Sequence, residues 1–408
     1  MRLDDSASPD SRGSGRTVRL IVSGGGTGGH TYPALTAVRA LQAKVAADGA
    51  AVDVLWVGAA GSLEARVAAE EGIRFAAVAT GKIRRARNPL KMISPANVRD
   101  MARVPLGVVQ ARGVVRGFRP DVVLATGGYV AVPVSLAARA ARRPLVVHEQ
   151  TVRLGLANWL LARVATRFAV SSQSTVALLP ASARAVAVVT GNPVRSAVLQ
   201  GQPDNAVAAL GLEAFDRDLP TVYVTGGAQG SVQINTLVRD ILPWLLARAN
   251  VIHQCGPANL AALREHAAAA LSDDLAARYL VTGYVGSELP DVLALADVVI
   301  SRSGAGTIAE LTALGKAAVL IPLASAAGNE QYHNARYLHE AGAAVALSGD
   351  QTTPQGLQDA VEPLLTDPAW RAEIAQQARS HGRPDAADQL ADVVLLAAGY
   401  KAQAGAGD

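Results

Sequence analysis

The sequence predicts an α/β protein of two Rossmann-like domains, each built on a parallel sheet, with the two sheets facing a central cleft. Length is the first observation: 408 residues with 50% hydrophobic content are too many for one ordinary core and enough for two. Patterning is the second, because from Thr17 onward short β-branched runs alternate with longer Ala/Leu-rich stretches, the grammar of βαβ units. The strand candidates, moreover, are continuous Val/Ile/Leu runs without alternation, so both faces of each sheet are expected to lie under helices.

Taken in order, residues 1–16 are rich in Ser, Asp, Gly and Arg and lack the apolar stretch of a signal peptide, so they read as a disordered tail. The first series of strands is TVRLIVS, VDVLWVG, PDVVLATG, PLVVHE and TRFAVSS. The second is TVYVTGG, NVIHQCG, ADVVISR, AAVLIP and a further AAVALSG. Between them Gly201 to Pro220 form a polar stretch with Pro203 and Pro220, which places the hinge near Arg195 and the domains at 17–195 and 196–375. The C-terminal segment reads as two helices broken at His381-Gly382-Arg383-Pro384, the last of which, about residues 385–400, is expected to pack back on the first domain.

Composition excludes several classes. A single cysteine, Cys255, permits neither an intrachain disulfide nor a multi-cysteine metal site. Aromatic residues make up 4%, too few for stacked nucleic-acid platforms, and no recognition motif for nucleic acid occurs. No stretch reaches the run of about 18 uncharged apolar residues that a membrane-spanning helix needs, so membrane contact is expected to be peripheral. The net charge of +4 is modest, but Lys82, Arg84, Arg85, Arg87, Lys91 and Arg99 cluster without one acidic residue, interleaved with Ile83, Leu90, Met92 and Ile93. Such a surface suits anionic lipid headgroups, and a solvated basic loop is the plain alternative.

Three glycine loops follow strands: Gly24 to His30, Thr126-Gly127-Gly128-Tyr129, and Thr225 to Ser231. Glycine lets the backbone approach a ligand closely, and a helix N-terminus offers amides and partial positive charge to an anion. The helix after the first loop is expected to begin near Pro33. The dinucleotide register G-x-G-x-x-G is not met, nor does an acidic residue end VDVLWVG, which disfavours NAD; no Gly-Lys-Ser/Thr follows any loop, which excludes the Walker type. The segment Ser301 to Glu310 is the most informative. Small residues at its helix start can receive a diphosphate, and Glu310, one turn further, can accept both hydroxyls of a ribose. A solvated helix glutamate is the bland alternative. The polar cluster Gly328 to Asn334 suits sugar hydroxyls.

Together GGGTGGH, GGYVAVP, HEQ, GNPVR, GGAQGS, SRSGAGTIAE and NEQYHNA, in this order and spacing, resemble the family of peptidoglycan glycosyltransferases that add N-acetylglucosamine to undecaprenyl-diphospho-muramoyl-pentapeptide. The resemblance spans nearly the whole chain from Thr17 and implies the two-domain GT-B fold, with an acceptor- and membrane-facing first domain and a UDP-sugar-binding second. It implies UDP-N-acetylglucosamine as donor. Ala305, Gly306 and Thr307 then meet the diphosphate, Glu310 the ribose and the Val285 backbone the uracil. Gln331 and Asn334 align with sugar contacts, Arg195 with the donor-site arginine, and Ala228 and Gln229 with the third loop. Thr27, Gly28 and Gly29 match the loop facing donor sugar and acceptor diphosphate, while Gly26, His30, Gly127, Gly128 and Tyr129 line the acceptor side, with Glu149 in the same cleft. Two positions depart from the family pattern: Thr151 stands for its asparagine after HEQ, and Ala228 for its serine. Thr151 keeps a hydroxyl but loses the paired amide donor and acceptor; Ala228 loses a side-chain hydrogen bond.

The resemblance also implies single-displacement inversion, which needs one base. His30 is the candidate, because an imidazole titrates near neutral pH, and acceptor diphosphate binding is its alternative role. Glu149 either orients His30 or serves as the base itself. Helix amides would meet the leaving-group charge, so neither metal nor cofactor is expected. The cytoplasmic face of the cell membrane is the implied location. Alternatives are a UDP-sugar transferase with another donor or acceptor, a silent UDP-sugar-binding scaffold, and a UDP-sugar epimerase of the same architecture.

Overall fold

The computed structural model describes residues 17–81, 95–323 and 329–401, the side chains of 95–102 excepted. The first sheet contains β1 (Thr17–Gly24), β2 (Ala51–Gly58), β3 (Arg74–Ala77), β4 (Val122–Gly127), β5 (Leu145–Glu149), β6 (Arg167–Val170) and β7 (Ala187–Val189). The second contains β8 (Thr221–Thr225), β9 (Asn250–Gln254), β10 (Tyr279–Thr282), β11 (Val298–Ser301), β12 (Ala317–Leu320) and β13 (Val345–Ala346). Their orders are β3-β2-β1-β4-β5-β6-β7 and β10-β9-β8-β11-β12-β13, all neighbours parallel. Each sheet reverses its winding beside its first strand, β1 or β8. In such sheets the crevice at the carboxyl ends of the strands is where ligands bind, and both reversals open there.

The apolar runs explain the layering. In β4 all six residues are buried, and β5, β8 and β9 are buried throughout. Trp56, Leu20 and Leu124 face one layer of helices in the first domain, and Phe168, Val147 and Leu161 the other. The second domain repeats this arrangement with Val222, Ile234 and Leu357 on one side, and Tyr223, Ile252 and Val299 on the other.

Four sequence readings need correction. The strands β3, β7 and β10 were not recognised, because they are three or four residues long and largely half-exposed, so they carry no apolar run. The stretch from Gly201 to Pro220 is not merely a polar connection. It holds helix Pro203–Leu210, and Ala206 from this helix is buried in the second core. The helix expected near Pro33 begins at Gly28, so Gly28 and Gly29 form its first turn. The segment Gly328 to Asn334 is no loop throughout, since helix Glu330–Glu340 begins inside it.

The linker from Thr190 to Arg195 leads directly into the second domain, where Val194 and Val198 enter the core. Gln202 N–H donates to Asp291 Oδ1 at 2.7 Å, holding the chain against helix Leu289–Leu295. At the other end helix Pro368–His381 belongs to the second domain's packing, through Ile374 and Ala378. Helix Ala386–Ala397 places Leu390, Ala391 and Val394 in the first domain's core beside helix Gly28–Ala47. The first core is therefore closed by the end of the chain.

Candidate active site

The first two glycine loops meet backbone to backbone. A methyl on Gly128, whose φ is +78°, would overlap the Gly25 carbonyl, and one on Gly24 would overlap Thr126 Oγ1. The Tyr129 ring lies over Gly26. Thr27 ends the loop as N-cap of helix Gly28–Ala47. The amides of His30 and Thr31 both donate to Thr27 O at 3.2 Å, which leaves those of Gly28 and Gly29 at the helix mouth. The amide of Gly26, a residue that the sequence placed on the acceptor side, is engaged within the domain. Its N–H donates to Glu64 Oε2 at 3.1 Å, while Ala59 N–H donates to Oε1 at 3.2 Å. Glu64 is fully buried, and this carboxylate pins the first loop from beneath.

His30 stands half-buried where the loops meet, its ring against Gly127 and Gly128. Its Nδ1 lies 3.0 Å from Gln150 Oε1, so the residue that orients it is Gln150 and not Glu149. Glu149 is 1% exposed and already accepts four hydrogen bonds. Thr151 donates through N–H and Oγ1 to Oε1, at 3.2 and 2.9 Å; Gly155 N–H and Asn158 Nδ2 donate to Oε2, at 2.9 and 3.0 Å. A carboxylate so engaged anchors its loop, which weighs against the alternative that makes Glu149 the base. The Thr151 hydroxyl is likewise occupied inside its own loop, its single hydrogen shared between Glu149 Oε1 and Arg153 O.

In the second domain β11 runs into helix Ala305–Leu314, capped by Gly304 without a side-chain bond. The first backbone bond of this helix is Ile308 N–H to Gly304 O, 2.9 Å, which leaves the amides of Ala305, Gly306 and Thr307 pointing out of the helix start. One turn inside, Glu310 Oε1 receives Arg195 Nε at 2.8 Å and Nη2 at 2.7 Å. Burial pushes the Glu310 carboxyl up, against the Arg195 guanidinium, which lowers it. Two residues that the sequence assigned separately to donor binding are thus one ion pair, formed through Oε1 of Glu310.

The third loop approaches the β9 end so closely that a methyl on Gly230 would overlap Cys255 O. Ala228 and Gln229 sit at its tip, and Ser231 Oγ caps the next helix by accepting from Ile234 N–H at 3.2 Å. Arg302, not singled out in the sequence, bridges the two donor loops. Its Nη2 donates to Ser231 Oγ at 2.6 Å and its Nη1 to Gln233 Oε1 at 3.2 Å. Val285 N–H donates to Gln254 Oε1 at 3.0 Å, so this amide is already paired within the domain.

Gln331 and Asn334 chiefly brace the cleft. Gln331 Oε1 accepts from Leu323 N–H at 2.9 Å and its carbonyl from Ser303 Oγ at 2.7 Å. Asn334, 4% exposed, donates to Ser303 O at 3.1 Å and accepts from Val152 N–H at 3.4 Å, joining the domains. Behind this bridge a cavity of about 70 Å³ reaches back to Asn192 and Arg383. Helices Gly28–Ala47 and Ala305–Leu314 also touch across the cleft. The membrane patch Lys82, Ile83, Arg84, Arg85, Arg87 and Lys91 lies outside the described residues. Another apolar surface was missed: Leu156, Trp159 and Leu160 are 43–45% exposed on helix Leu156–Leu161, with Arg163 stacked 3.9 Å over Trp159.

Comparison with known proteins matches residues 20–170 to the glycosyltransferase family 28 N-terminal domain and residues 221–390 to the family's C-terminal domain. The UDP-N-acetylglucosamine–N-acetylmuramyl-(pentapeptide) pyrophosphoryl-undecaprenol N-acetylglucosamine transferase of Desulforudis audaxviator is 35% identical over 386 residues, covering 94% of this chain and 99% of its own. Among solved structures, MurG of Acinetobacter baumannii superposes with a TM-score of 0.70 at 26% identity, over 93% of this chain and 99% of its own. The UDP-N-acetylglucosamine 2-epimerase of Neisseria meningitidis, at 14% identity and a TM-score of 0.61 over 94% of this chain and 99% of its own, shares the fold alone.

Proposed function

The chain belongs to glycosyltransferase family 28, and from that premise we propose that it moves N-acetylglucosamine from UDP-N-acetylglucosamine to the muramoyl 4-hydroxyl of undecaprenyl-diphospho-muramoyl-pentapeptide. This is an inverting step of peptidoglycan synthesis. The observation that carries the reading is the near full-length likeness to transferases of that name, joined to a cleft with an imidazole on one wall and unpaired helix amides on the other. In this reading the Ala305, Gly306 and Thr307 amides receive the donor diphosphate, and Glu310 the ribose. His30 takes the proton of the attacking hydroxyl. UDP departs into the field of the helix start and the Arg302 guanidinium, fixed charges that need no rearrangement during the reaction.

The acceptor is lipid-linked, so the first domain must reach a membrane surface. No helix among the described residues is long and apolar enough to cross one. Leu156, Trp159 and Leu160, flanked by Arg153 and Arg163, support peripheral docking on anionic lipid, and the cytoplasmic face is the part of the proposal that rests on the UDP-sugar donor alone.

The test is UDP release from a panel of UDP-sugars, with and without a lipid-diphosphate-muramoyl acceptor. Release from UDP-N-acetylglucosamine that depends on this acceptor is expected. Release from UDP-glucose alone, or without acceptor dependence, overturns the reading. Added chelator is expected to leave single-turnover rates unchanged; a loss that magnesium restores would disprove transfer without a metal.

A further inference from the structure

The catalytic imidazole is connected to the interdomain linker by an unbroken series of buried polar contacts. His148 Nε2 lies 2.9 Å from Gly191 O, a carbonyl of the linker. His148 Nδ1 lies 3.1 Å from Gln150 Nε2, and Gln150 Oε1 lies 3.0 Å from His30 Nδ1. His148 is fully buried and Gln150 is 3% exposed. The proton positions along the series follow from donor and acceptor chemistry.

A carbonyl can only accept, so His148 must carry its hydrogen on Nε2, leaving Nδ1 as an acceptor. Burial pushes His148 down to about 4, which keeps it neutral with a single N–H. One hydrogen of Gln150 Nε2 goes to Thr126 O at 2.7 Å, and the other is shared between His148 O at 3.0 Å and the His148 Nδ1 lone pair. Reversing the amide would set its oxygen against two carbonyls and a bare ring nitrogen, so the orientation is determined twice over. Gln150 Oε1 therefore faces His30, and an amide oxygen can be paired only with a donor. His30 Nδ1 carries the hydrogen, and Nε2 carries the lone pair.

We propose that His148 and Gln150 are positioning residues, a relay anchored on the linker carbonyl of Gly191 that holds His30 as the Nδ1–H tautomer with Nε2 ready to accept a proton. The proposal rests on His30 serving as the base of the transfer, although the tautomer itself is independent of that role. The anchor also lies where both chain crossings meet: a methyl on Gly191 would press on the side chains of Arg383 and Ala386, in the segment that returns the C-terminus to the first domain. The relay thus ties the proton on the base to the place where the domains are joined.

The test begins with ¹⁵N spectra of the histidines in the full chain, His30 being assigned with His30→Gln. The unsubstituted protein is expected to show a protonated Nδ1 and an unprotonated Nε2 at His30. Gln150→Met, nearly isosteric but unable to accept from nitrogen in this way, is expected to move His30 toward Nε2–H. It should lower kcat about 10- to 100-fold, part of the 10²–10⁴ that a positioned base contributes, with KM for UDP-N-acetylglucosamine within about twofold. His148→Phe is the second variant, expected to shift the same signal in the same direction. An Nε2–H tautomer in the unsubstituted protein, or a His30 spectrum and kcat unmoved by Gln150→Met, overturns the relay. Failure of the transferase reading would instead show as no acceptor-dependent transfer by the unsubstituted chain, with the spectra unaffected.

Discussion

Glu149 and Arg195 show how much of a residue's meaning is supplied by its partners. Removing the Glu149 carboxylate leaves the Thr151 and Gly155 amides and the Asn158 Nδ2–H without an acceptor in a buried loop. Glu149→Ala is therefore expected to destabilise the first domain by about 2–5 kcal/mol, read as an earlier urea transition of that domain. An unchanged transition with activity abolished would restore Glu149 as a base. His30→Ala is expected to do the reverse, lowering kcat about 10²- to 10⁴-fold with folding and donor affinity preserved. At Arg195 the sign of a pH effect follows from the ion pair. Burial raises the Glu310 carboxyl and Arg195 opposes it, so Arg195→Gln removes the opposition and raises it further. A protonated Glu310 is a weaker acceptor for a diol, so in this variant UDP affinity should fall more steeply as pH is lowered than it does in the unsubstituted chain. Calorimetric titrations showing equal pH dependence would sink that argument. Sequence alone could place Arg195 and Glu310 at one ligand, but not pair them, since 115 positions separate them.

At the scale of elements, the long strands and glycine loops were legible because their signal is local: continuous apolar runs followed by small residues. The short edge strands were not, for three or four half-exposed residues carry no period. HEQ illustrates both sides. Successive residues at a strand end point to opposite faces, so His148 and Gln150 share one side and Glu149 takes the other. That rule was available from the sequence and says that Gln150 and Glu149 cannot both meet His30; which of them does was fixed only by packing. Glu64 gave no such signal, because its target is a backbone amide 38 residues away. The glycine loops act as elements in their own right. Gly128→Ala must either open the contact with Gly25 or distort a positive-φ residue at a cost of about 1–2 kcal/mol. Since the donor loops belong to the other sheet, this variant is expected to lose at least about tenfold in kcat while UDP affinity stays within about twofold. Equal losses in both would mean that the loops do not function separately.

For the whole molecule, the consequence of chain order is that neither domain is a simple half. The second domain is contiguous from the linker to His381, but the first depends on helix Ala386–Ala397, whose Leu390 and Val394 are completely buried against helix Gly28–Ala47 and the sheet. The broken helix at 381–384 was visible as Gly-Arg-Pro, whereas the helix's destination is set by the apolar face that strands and helices far back in the sequence leave for it to cover. Losing two such side chains forfeits about 3–6 kcal/mol of burial, to which the exposed surface beneath them adds; whole domains are held by only about 5–15. Truncation after His381 is therefore expected to unfold residues 17–189 and spare the second domain. Limited proteolysis should digest the first domain selectively, and the remaining fragment should still bind UDP through Thr307 and Glu310. Transfer to the lipid-linked acceptor should vanish, since His30 and both acceptor loops sit on the domain that is lost. A truncated chain that resists the protease and transfers normally would show that the first core closes without its final helix.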